Sequence, residues 1–193
     1  MRRALIAAVI PLAFVASMLG AAGVASAGTS KAAYSWHVAD ALLEEGVGSP
    51  PVAIAMASNG DTVELDGTGT LNAADKTASG GGQFVHKRAD GSVDPPGTFT
   101  VNRLVSFQFY GCSDQVIPGV TLCGGLAKLD VTLTPSGTSL QFPATLWIDC
   151  LIGDNIPAGG EPARDEGIRL NVKDLINFTQ TVPSGLTLFI PEG

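Results

Sequence analysis

His86 and Arg103 are the residues whose types and spacing could do chemistry in this 193-residue chain. His86 ends one face of an alternating run from Ala78 to Arg88, a face it shares with Ala78, Gly80, Gly82 and Phe84. Arg103 interrupts an apolar stripe of Phe99, Val101, Val105, Phe107 and Phe109. If the connection between these runs centres near Ser92-Val93, Gly82 lies opposite Arg103 and His86 opposite Phe99. A glycine there leaves room for a long guanidinium. A charge on an apolar face needs a partner. Glu166, on the face of Ile168, Leu170 and Val172, is the first choice. In a closed sheet, His86, Arg103 and Glu166 would then point into the lumen as a polar site in apolar surroundings. The competing reading puts His86 on a wet rim before Lys87-Arg88, and turns Arg103 outward at a bulge.

Stronger signatures are missing. The chain has no Gly-x-Ser-x-Gly elbow, phosphate-binding glycine loop, His-Glu-x-x-His or paired Cys-x-x-Cys. Two histidines are too few for a multi-histidine metal site. The acidic stretches Asp61 to Asp66 and Asp90 to Asp94 lack the ligand spacing of a calcium loop and read as solvated turns. No cofactor, metal or catalytic residue is assigned. His37 beside Trp36 reads as an exposed or packed histidine near the start of the mature chain. The sequon Asn177-Phe178-Thr179 carries no expected role.

Three cysteines are present. Cys112 and Cys123 flank a segment containing Pro118-Gly119, which reads as a loop between strands. They are expected to bridge. Closing a ring of that length stabilises by roughly 3 kcal/mol in the chain-entropy model. Cys150 alternates in register with Leu146 and Ile148 and reads as a buried, inert thiol.

The elements that must position these groups are strands. Val63, Leu65, Gly67, Gly69 and Leu71 alternate with Thr62, Glu64, Asp66, Thr68 and Thr70. Further stripes run through Leu129, Val131 and Leu133, through Leu140 to Cys150, through Ile168 to Val172, and through Leu186 to Ile190. Val52 to Ala57 and Tyr34 to Val38 are additional candidates. Turn signals separate them, among them Asn59-Gly60, Asn72 to Lys76, Pro135-Ser136-Gly137, Gly153 to Pro162 and Pro183-Ser184-Gly185. The one plausible helix lies near Asp40 to Glu45, stopped by Gly46. About 8–10 strands with mostly short connections predict an all-β fold, a single antiparallel barrel-like domain that hides its edges. A two-sheet β-sandwich is the alternative. Residues 28–50 are expected to be partly irregular, and 51–193 to form the β-domain.

The N-terminus fixes an expected location. Met1-Arg2-Arg3, an apolar run from Ala4 to about Val24, and Ala25-Ser26-Ala27 make a secretory signal peptide cleaved after residue 27. The mature chain would begin at Gly28, with no further stretch of membrane-spanning length. Arg2 and Arg3 leave with the signal, so the secreted part is more acidic than the whole chain's net charge of −7. Such a surface suits neither nucleic acid nor an anionic membrane.

Residues 67–111 resemble a stretch of uncharacterised exported β-rich proteins of high-GC, actinobacterial-type bacteria. The resemblance is carried by Gly67-Thr68-Gly69-Thr70-Leu71, Gly80-Gly81-Gly82-Gln83-Phe84-Val85-His86, Gly97-Thr98-Phe99 and Ser106-Phe107-Gln108-Phe109-Tyr110-Gly111. It implies a bacterial source and a β-rich fold, and brings no activity and no functional residue. The expected function is therefore a secreted, non-catalytic binding or envelope-associated β-domain. Its partner classes are an apolar small molecule or a cell-envelope component. The alternatives are a small barrel enzyme acting on an apolar or cyclic substrate in its lumen, and a self-associating surface protein.

Overall fold

The computed structural model describes residues 33–117, 119–157 and 165–192. The expected signal peptide and the start at Gly28 lie outside the described residues. In chain order the elements are β1 (Ala33–Val38), α1 (Ala41–Val47), β2 (Ala53–Ala57), β3 (Thr62–Asn72), β4 (Thr77–Lys87) and β5 (Gly97–Ile117). They continue with β6 (Val120–Pro135), β7 (Phe142–Cys150), β8 (Gly167–Val172), β9 (Ile176–Val182) and β10 (Thr187–Pro191). The fold is all-β, and every strand pairing is antiparallel. No helix among the described residues is long and apolar enough to cross a membrane.

The ten strands form one sheet that returns on itself. Hydrogen bonding runs β6–β5–β4–β3–β2–β9–β8–β7, and β7 pairs back to β6 from Phe142↔Leu133 to Cys150↔Gly125. This ring-like closure takes the place of a two-sheet sandwich and leaves few open edges. β3 is long enough to have two neighbours on one side. Its first half pairs with β2, and Gly67 to Asn72 pair with β1. β1 continues to β10, which meets β6 at Phe189↔Cys123. Residues 33–47 thus belong to the β-domain. Tyr34, Trp36 and Val38 alternate into the core, and Leu43 of α1 follows them.

Glycines and aromatics divide the interior between them. Gly67, Gly69, Gly80 and Gly82 face one another across the β3–β4 ladder. A Cβ on Gly69 would sit 2.7 Å from the Trp36 ring, and one on Gly67 2.8 Å from the Phe99 ring. The missing side chains therefore make space for those two aromatics, whose centroids are 6.4 Å apart. Trp36 Nε1 donates to Ser79 O at 3.2 Å, which satisfies its one donor inside the ring. Phe107 bridges Tyr34 and Phe189 at 5.1 and 5.0 Å.

Three local expectations are corrected. Gly46 lies inside α1, because the stop is Gly48, in the left-handed region at φ 68°, with its N–H on Glu44 O. At the other end the Asp40 side chain accepts from Leu43 N. The segment between Cys112 and Cys123 is strand over 113–117 and 120–122 rather than loop throughout: β5 and β6 pair out to Ile117↔Val120. The disulfide Cys112–Cys123 joins directly opposed residues of that ladder, and Cys150 is a buried free thiol. β9 was not expected as a strand, since its turn at Lys173-Asp174 contains no glycine. Asp174 itself takes the left-handed conformation at φ 59°.

Candidate functional site

The three residues expected to share a lumen are not brought together. His86, near the end of β4, faces a cavity at one end of the ring. Arg103 lies outside, 62% exposed, with its Nε donating to Asp130 Oδ2 at 3.0 Å on the neighbouring strand. Register and irregularities in β5 together account for this. Gly82 stands opposite Phe99 and Phe84 opposite Gly97, so the β4–β5 connection is centred before Ser92-Val93. Two irregularities, between Val101 and Arg103 and between Leu104 and Ser106, then turn β5 over. Leu104 is buried as a result, and Val105 of the expected stripe is exposed.

Glu166, just before β8, lines a different hollow with Thr181 and Pro183 to Leu186. Its oxygens accept from Leu151 N and Thr187 N, both at 3.4 Å. Burial pushes its carboxyl above the ordinary range, and the nearby Asp149 adds to the shift. Cys150 lies in the same region, its thiol pushed far up by burial. Cys150 is fully buried and so is not poised as a nucleophile open to a substrate. His37 is equally committed: its Nδ1 meets Asp40 Oδ2 at 2.6 Å and its Nε2 meets Ser35 Oγ at 3.2 Å.

The cavity that His86 faces measures about 470 Å³. Val63 and Phe84 line it from β3 and β4, and Leu133 and Phe142 from β6 and β7. Leu170, Val172 and Phe178 close it from β8 and β9. These side chains converge because the ring closes: each is an inward residue of an alternating strand, taken where the strands reach the same end. The lip is apolar too. Leu140 and Leu175, on the β6–β7 and β8–β9 connections, line the cavity while 58% and 65% exposed.

One wall carries charge. His86 Nδ1 lies 2.8 Å from Asp94 Oδ2, and His86 Nε2 lies 3.1 Å from Asp61 Oδ2. The ring also stands edge-on to Phe178, 5.7 Å between centroids. Asp61 precedes β3 and Asp94 sits in the β4–β5 connection, so His86 ties two connections together across the end of β4. The second oxygens are also engaged. Asp61 Oδ1 accepts from Ala89 N at 2.9 Å, and Asp94 Oδ1 from Arg88 Nη2 at 2.9 Å. The Ala89 N–H holds the Asp61 carboxyl below the ordinary carboxylate range, with His86 contributing. The hydrogen bond from His86 does the same for Asp94, followed by Arg88.

Neutral imidazole donates through one nitrogen only, whereas the protonated ring donates through both. In this protein both ring nitrogens of His86 face a carboxylate. In the sequence Asp61 and Asp94 read as solvated turn residues, but the structure places both on His86. The β3–β4 register nonetheless carries a signal for Asp61. Val63 is opposite His86, and Asp61, two residues earlier on the same side, is its diagonal neighbour.

Fold and site together define a class: an all-β ring with an apolar cavity at one end and a self-paired charged wall. No protein-family model, no curated protein and no solved structure matches this chain.

Proposed function

We propose that this protein is a secreted, non-catalytic binding domain that takes an apolar small molecule into the cavity at the end of its ring. One observation carries the reading. A cavity of about 470 Å³, a size that suits a small ligand, opens to solvent through a lip of exposed leucines. Exposed side chains of that size at a concave opening mark a surface meant to be covered. The committed ring nitrogens of His86 favour binding over acid–base catalysis. Export is part of the proposal. It rests on the signal-like N-terminus, and the Cys112–Cys123 disulfide fits an oxidising compartment.

The test is a fluorescence titration with 1-aminoanthracene, a neutral apolar probe. Saturable binding is expected, weakened about tenfold or more by Leu140→Glu with Leu175→Glu, since a buried contact becomes an unpaired charge at the lip. Both positions are exposed, so the fold tolerates the change. No saturable binding, or equal binding by the double variant, would overturn the proposal.

A further inference from the structure

We infer that the cavity selects neutral apolar molecules over anionic ones, because the charged groups of its wall are paired within the protein and leave an anion no unpaired cation to meet. This rests on the cavity being the ligand site. The groups at the wall account for themselves. Both ring nitrogens of His86 face carboxylates, and Arg88 donates to both oxygens of Asp94. On the neighbouring outward face, Lys87 Nζ is 2.5 Å from Glu64 Oε1. Asp90 accepts from Ser92 through both its backbone and its hydroxyl. Across the lip, Lys173 belongs to a separate polar hollow with Asn59 and Asp174.

Thr138, on the wall near Leu140, donates to Pro135 O and accepts from Leu140 N. Ser136 also lines the cavity, and its hydroxyl is a neutral group that suits an ester or alcohol oxygen. A fatty acid carboxylate entering here would lose its water, meet Asp94, and find both ring nitrogens of His86 already facing carboxylates. A molecule of the same length with an ester or hydroxyl end pays no such penalty. The acidic charge of the whole chain, −7, acts in the same direction.

The experiment displaces 1-aminoanthracene with methyl decanoate, decanol and decanoate at neutral pH. Ester and alcohol are expected to displace it at similar concentrations. Decanoate should be weaker by about tenfold or more, the size expected for an uncompensated charge. Asp94→Asn removes the carboxylate that Nδ1 of His86 and Arg88 now share, and should narrow the gap. Asp61→Asn, which releases the other ring nitrogen, is the second variant should the first fail to fold. Decanoate binding as tightly as the ester, or a gap unchanged in a folded variant, would overturn the inference and leave the binding function standing. Failure of the neutral probe to bind at all would sink the function itself.

Discussion

Arg103 and His86 show how differently two charged residues on alternating strands can be placed. Arg103 meets Asp130 in water, and exposed ion pairs of this kind are worth about 0–1 kcal/mol. Arg103→Leu is therefore expected to cost under about 1 kcal/mol by denaturant unfolding. A loss of several kcal/mol would mean that the guanidinium is buried. His86 is the reverse case, a residue whose partners matter more than its exposure. Asp61 and Asp94 have carboxyls lowered from an ordinary value of 3.8. Their contribution to stability is full above that value and is lost as pH falls through their lower folded values. Acid should therefore loosen the β4–β5 connection below about pH 3.8. Faster exchange of the Asp94 and Arg88 amides, bonded to His86 O and Ser92 O, would report it. Protection of those amides that stays level through this range would show that the His86 contacts do not hold the connection.

At the level of elements, alternation made most of the fold legible, and register made the site illegible. Thr62 to Thr70 and Leu129 to Leu133 show their buried faces directly, because those strands are regular and half-buried. β9 hides because Phe178 is its one fully buried residue and polar side chains surround it. The β4–β5 pairing lies four residues from the expected one, with Phe99 rather than Arg103 opposite Gly82, and the irregularity between Val101 and Arg103 then turns Arg103 outward. Nothing local reveals such a shift, since a displacement of four residues keeps every side chain on its own face. Glycine does leave room for side chains, but at Gly67 for Phe99 and at Gly69 and Gly80 for Trp36, and not at Gly82. A Cβ on Gly82 would lie 1.8 Å from Asp66 O, a backbone atom that moves only with the strand. Gly82→Ala is expected to cost about 3 kcal/mol through strand separation. A thermal midpoint equal to that of the parent would show that β3 and β4 are less tightly apposed.

For the molecule as a whole, the cavity and the ring are one construction. Strands that close on themselves protect their edges, and the same closure leaves inward residues at one end with nothing opposite them but each other. Leu133, Phe142, Leu170 and Phe178 can fill only part of that end, and Leu140 and Leu175 remain at its lip. Apolar surface left in this way lowers the stability of the empty protein, and a ligand recovers it only if it binds the folded chain alone. Mass action then fixes the size of the effect. At a ligand concentration one hundred times Kd, stabilisation is about 2.7 kcal/mol, whatever the ligand's identity. Methyl decanoate is thus expected to raise the unfolding midpoint in a concentration-dependent way. At that same concentration the increase should fall to about half or less in Leu140→Glu with Leu175→Glu, while Arg103→Leu retains it in full. Loss of the shift in Arg103→Leu would place the ligand outside the cavity. A shift equal in parent and lip variant would mean that the ester binds the surface nonspecifically.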